Sequence, residues 1–159
     1  MRGYILIAVV ALFASAESAV SSASALAPVK LGLKKSGNAL VDQSNALWPQ
    51  FERTAAALDQ AILRAQASKT TQLERDELKT MITLRLRLRE MGSRQGVSRD
   101  DLETIFKELE DAQEMARGDH MTESFAGFRQ QANQMEKLLA SLMRLMDEAN
   151  LNFIQKNSV

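Results

Sequence analysis

The 159-residue chain has no cysteine. Disulfide scaffolds, cysteine-ligated zinc or iron–sulfur sites and thiol catalysis are therefore excluded. Its two prolines and seven glycines are too few to turn the chain at the regular intervals of a β-sandwich or barrel. Only 5% of residues are aromatic, with a single Trp and a single Tyr. Twenty basic residues are matched by 20 acidic ones, so no broad positive field exists to hold a polyanion, and nucleic acid is not an expected partner. The lone histidine, His120, leaves little material for proton transfer near neutral pH. This composition points to a helical protein with little chemistry in it.

The N-terminus reads as an address. After Met1-Arg2-Gly3, the apolar run Tyr4–Ala14 is shorter than the roughly 20 residues a membrane-spanning helix needs. A basic start, a short apolar centre and then small residues are the layout of a cleaved signal peptide. Ala14-Ser15-Ala16 and Ala23-Ser24-Ala25 offer cleavage sites, and residues 1–25 are assigned to the signal. Behind them, residues 26–41 carry Lys30, Lys34 and Lys35 and no acid, the acid-poor character of a transit peptide. The junction Ala23-Ser24-Ala25-Leu26-Ala27-Pro28 resembles the ASA-FAP motif of diatom-type plastid precursors. Leu26 stands where that family has Phe. The resemblance implies a bipartite presequence and a plastid destination. With no second apolar segment, the stroma fits better than the lumen. Secretory or periplasmic export is the alternative.

From residue 42 to 159 four segments repeat with helical spacing. In the first, Trp48, Phe51, Ala55, Leu58, Ile62 and Ala65 step by three and four along one face. Pro49 lacks an amide proton and clashes with the preceding turn, so the expectation is a short helix over 38–47 and a main helix from 49. The second segment, 72–91, has Thr71 and Glu74 as a capping box and Gly92 as its stop. The third is capped by Ser98, carries Asp100 and Asp101 in its first turn, and has the stripe Leu102, Ile105, Leu109, Ala112 and Ala116. The fourth runs from Phe125 through Phe128, Ala132, Met135, Leu139, Leu142, Met146 and Ala149 to Phe153, a helix of about 32 residues and roughly 48 Å. Short connections imply antiparallel neighbours. The expected fold is all-α: an antiparallel up-down four-helix bundle, with a three-helix bundle as fallback. Basic residues dominate 64–99 and acidic ones 100–123, so Arg89 and Arg94 are expected near Asp100 and Asp101 across the middle hairpin.

Catalytic motifs are missing. No nucleophile elbow, phosphate-binding loop, His-Glu-x-x-His or calcium loop occurs. His120 lies beside Gly118-Asp119 with Met115 and Met121 nearby, and it reads as a turn histidine rather than a metal ligand. Arg117 three residues before it rules out the di-iron Glu-x-x-His pattern. Glu108, Glu110, Asp111 and Glu114 read as a solvated helix face, and Met135, Met143 and Met146 as core filler. No catalytic residue, metal site or cofactor is assigned, and no enzyme is expected.

The second helix carries one stripe more than a simple bundle needs. Met81, Leu84, Leu88 and Met91 form the first; Leu78, Ile82 and Leu86 form the second, with Arg85 and Arg89 between them. Either the buried face is wide and the arginine stems pack along it, or a second surface binds something. Leu78, Ile82, Arg85, Leu86 and Arg89 are the candidate partner-binding residues, for a partner helix in preference to a membrane surface. The functional expectation is a non-enzymatic accessory or assembly subunit docking on a larger plastid protein complex, a photosynthetic one among the options. The alternatives are an exported helical binding module, or a bundle holding haem or pigment between helices 49–67 and 122–153.

Overall fold

The computed structural model describes residues 27–68, 73–118 and 123–157, with side chains from Gly37 onward. Four helices follow one another: α1 (Ala27–Ala67), α2 (Arg75–Ser93), α3 (Arg99–Met115) and α4 (Ala126–Glu148). α1 packs on α2 and α4, and α3 packs on the same two. This is the all-α four-helix bundle that the spacing predicts. The expected leader, residues 1–25, and Leu26 lie outside the described residues.

Each stripe becomes core. Leu47, Phe51, Leu58 and Ile62 of α1 meet Met81, Leu84 and Leu88 of α2, Leu102, Ile105 and Leu109 of α3, and Phe128, Met135, Leu139 and Leu142 of α4 in one buried cluster. At the start of α4, the rings of Phe125 and Phe128 stand edge to face, 6.3 Å apart. Burying a Leu-sized side chain stabilises by about 1.5–3 kcal/mol, so this shared interior, and not helix propensity, holds the elements in place.

Helix ends differ in part from expectation. Ser98 caps α3: its Oγ accepts from Asp101 N at 3.0 Å, and the Asp101 carboxylate accepts from Ser98 N at 2.9 Å. α2 instead starts one turn later than the Thr71 box requires. Glu74 is its N-cap, and the Glu77 carboxylate accepts from Glu74 N at 2.9 Å; Thr71 lies outside the described residues. Two acidic side chains there satisfy orphan amides as a hydroxyl and an acid would.

Pro49 does not split the first helix. α1 runs unbroken through it, with Pro49 and Asn45 both on the exposed side. The carbonyl that loses its amide partner is thus on the side facing water. Trp48 and Phe51, buried on the other side, keep both halves on the core. Leu40 also belongs to that core, so the helix and its buried face extend across the boundary expected at residues 41 and 42.

The last helix is shorter than its repeat suggests. α4 ends at Glu148, and Asn150 takes a left-handed φ of 54°. Leu151 N donates to Met146 O at 2.8 Å and Asn150 N to Asp147 O at 3.1 Å, the paired bonds of a Schellman ending. Phe153 leaves the stripe and enters a strand. β1 (Gly96–Ser98) and β2 (Phe153–Gln155) pair antiparallel, Val97 opposite Ile154, and both of these residues are buried. Arg99 N to Asn152 O (2.9 Å) and Lys156 N to Gln95 O (2.7 Å) extend the ribbon. Gly96 is required there: a Cβ would lie 2.4 Å from Phe153 Cζ and 2.9 Å from the Ile154 carbonyl oxygen. Trp48 Nε1 donates to Arg94 O at 3.0 Å, and Asn157 Nδ2 to Asn45 Oδ1 at 2.9 Å. These two bonds tie the ribbon to α1.

An ion pair reinforces this end. Arg99 Nε lies 2.7 Å from Asp147 Oδ1. The hydrogen bond from Arg99 holds the Asp147 carboxyl below its ordinary range, and Lys107, with Arg99 behind it, does the same for Glu103. A carboxyl whose folded pKa is lowered contributes stability above its unfolded value and loses it as the pH falls through the folded one.

Two outcomes are expected. Leu40→Ala should lower the urea unfolding free energy by about 2–4 kcal/mol; an unchanged midpoint would make residues 26–41 a dispensable extension. Arg99→Ala should shrink the stability lost between about pH 6 and about pH 2, as read by denaturation at each pH.

Candidate docking face

The five residues singled out on α2 sit on its α1 side and its outer face, and their exposure follows from helix geometry. Each four-residue step advances about 40° round the axis. The row Leu78, Ile82, Leu86 therefore walks from the core edge into solvent. Leu78 and Ile82 are half-buried against the core, while Leu86 is 57% exposed. The first stripe, Met81, Leu84, Leu88 and Met91, is fully buried, so Leu86 is not needed to close the bundle.

Arg85 and Arg89 have a structural partner that the sequence did not reveal. Arg85 Nη1 lies 3.1 Å from Asp59 Oδ1, and Arg89 Nη2 pairs with Asp59 Oδ2. Asp59 is on α1, so these bonds cross the α1–α2 seam. Arg89 was expected near Asp100 and Asp101. It points instead to α1 because it lies on the same side of α2 as Arg85, one turn on. Arg94 does reach Asp101, at 3.4 Å. Arg87 Nε lies 2.8 Å from Glu108 Oε2, so the α2–α3 seam has its own ion pairs.

A residue missed by the stripe analysis completes the face. Leu63 is 59% exposed, one turn beyond Asp59 on α1. It lies about 100° round α1 from the buried Ile62 and outside the stripe Phe51, Ala55, Leu58, Ile62, Ala65. That was the signal available in the sequence. Further along the seam Gly92 lets α2 approach: a Cβ would sit 2.6 Å from Glu52 Oε1 and 3.5 Å from Phe51 Cβ.

Other seams are filled or polar. Between α1 and α4, Gln50 Nε2 lies 3.1 Å from Gln131 Oε1, 3.3 Å from Gln131 O and 3.2 Å from Thr54 Oγ1. Between α3 and α4, the Gln113 amide donates to the Glu136 carboxylate; burial pushes that carboxyl above its ordinary range and the donated bond partly offsets it. Met135 and Met146 are core, and Met143 packs against it. Between α2 and α3 a recess of about 360 Å³ is lined by Asp76, Lys79, Thr80, Thr83, Glu108 and Asp111 above Leu84. Among the described residues, no group of three acidic or His side chains is placed to hold a metal ion, and no helix is long and apolar enough to cross a membrane. His120 lies outside the described residues.

No protein-family model, curated protein or solved structure matches the chain. Function therefore rests on the surface itself. The α1–α2 face offers leucines without cover and guanidinium groups held at their edge, an arrangement suited to gripping an apolar stripe on another molecule.

Leu86→Ser should change unfolding stability by less than about 0.5 kcal/mol, as an exposed substitution does. Leu88→Ala, on the buried stripe of the same helix, should cost about 2–5 kcal/mol. Urea denaturation of both variants separates a surface leucine from a core one.

Proposed function

We propose that the chain is a non-enzymatic helical-bundle accessory or assembly subunit that docks on a larger protein complex through the α1–α2 face. The observation that carries this reading is the exposed Leu86, 57% accessible on a helix whose other leucine-rich stripe already closes the core. Covering the part of that side chain still in water gains about 1–2 kcal/mol, a little over half the value for full burial. Leu63, one turn beyond Asp59 on α1, adds a second exposed leucine, and Asp59 bridges to Arg85 and Arg89 of α2.

The address comes from the leader alone. The Ala23–Pro28 junction and the lysines behind it support delivery to a plastid, with the stroma preferred, and from there a plastid complex, photosynthetic or otherwise, as the partner assembly.

A photo-crosslinking residue placed at position 86 of the full chain, expressed in a plastid-bearing cell, tests the docking reading. It should yield a defined adduct with a subunit of a larger complex. Leu63→Ser should weaken that adduct while the bundle keeps its helical signal. No adduct at position 86, alongside strong ones from α3 or α4, would move the docking surface elsewhere. A fluorescent fusion of residues 1–41 should light plastids, and secretory labelling would overturn the address.

A further inference from the structure

We infer that the occupant of the α1–α2 face is an acidic amphipathic helix: an apolar stripe at helical spacing flanked by Asp or Glu. The inference rests on the docking reading above and adds the chemistry of the partner.

The charges around Leu63 and Leu86 decide it. At the centre two guanidinium groups, Arg85 and Arg89, share the single carboxylate of Asp59, which leaves one positive charge uncompensated. Arg89 remains 56% exposed there, with donors free to turn outward. At the α2 end Arg75 lies on the same side as Ile82 and Leu86. It is exposed and has no ion pair among the described residues. Of the neighbouring acids, Glu90 is paired with Arg94, Glu74 is held in the α2 cap, and Glu52 sits at the far end of the seam beside Gly92. Around Ile82 and Leu86 the arginines therefore outnumber the carboxylates.

That excess argues against a second copy of this chain. A two-fold contact through the face would set its own guanidinium groups against each other, and like charges brought together at an interface disfavour the pairing. A helix with flanking carboxylates gains where a copy loses. Arg85 and Arg89 are also well placed to take carboxylates in bidentate fashion. The groove between two antiparallel helices accepts a third by ridge-into-groove packing, with its apolar residues over Leu63, Ile82 and Leu86.

The test titrates the full chain into fluorescently labelled peptides of ~20 residues that share one leucine stripe. One carries Glu at the flanking positions, one Lys, and one has the Glu peptide's residues scrambled. The Glu peptide should bind at least about tenfold more tightly than the Lys peptide, and its affinity should fall with added salt. Leu63→Ser with Leu86→Ser should remove binding. Arg75→Glu should narrow the preference, while the circular dichroism of each variant stays that of the parent. Equal binding of the Glu and Lys peptides, or binding that survives loss of both leucines, would overturn the inference. So would binding to phosphatidylserine vesicles without binding to the Glu peptide, or a leucine-dependent dimer in sedimentation. If the Glu peptide fails yet position 86 still crosslinks to a subunit in cells, the docking reading stands and only the partner's charge is wrong.

Discussion

Burial of the α1 stripe between α2 and α4 is the constraint from which the rest of the molecule follows, because the two α1 seams are the most extensive among the described residues. Leu40, Leu47, Phe51, Leu58 and Ile62 present a continuous apolar edge. Each neighbour lays its own stripe against that edge, and α3 closes the far side of the bundle. Once α2 is seated there, Asp59 can meet Arg85 and Arg89, and Gly92 can slide against Phe51 and Glu52. The ion pairs refine a register that the apolar contacts set. Partly exposed pairs of this kind contribute only about 0–1 kcal/mol each, too little to choose the fold.

Much of this architecture was legible because a helix that buries one face must repeat its apolar residues every three or four positions. Phe128 to Met146 does so without interruption, and its stripe is buried as expected. What escaped was what the period does not encode. Phe153 continues the spacing but belongs to a strand, because Asn150 in a left-handed conformation ends the helix before it; the two asparagines flanking Leu151 were the available sign. Three-residue strands are too short to show alternation, so the β1–β2 ribbon left no pattern. Pro49 reads as a break in any helix, yet it is tolerated where the lost hydrogen bond lies on the exposed side.

The docking residues divide in the same way. Leu78, Ile82 and Leu86 were visible as a second stripe, and whether that stripe was core or surface depended on which way the four-residue row drifts relative to α1. That is a property of packing and not of the row itself. Asp59 could not be found from α2 alone, since its role exists only across the seam. Leu63 was in plain view as a leucine standing outside the three-and-four stripe of α1. The proposed partner chemistry uses all three kinds of information: the stripe, the cross-seam triad, and the excess of arginine around them.

The ribbon between Gly96–Ser98 and Phe153–Gln155 also bears on how the chain comes together in time. Its two strands enclose α3 and α4, so its formation closes a long loop whose entropic cost grows with length. The α1–α2 and α3–α4 hairpins need only local encounters and form on the faster clock of short-range contacts. Once α3 lies antiparallel to α4, Ser98 and Phe153 are already side by side, so the ribbon closes with that hairpin at little further entropic cost.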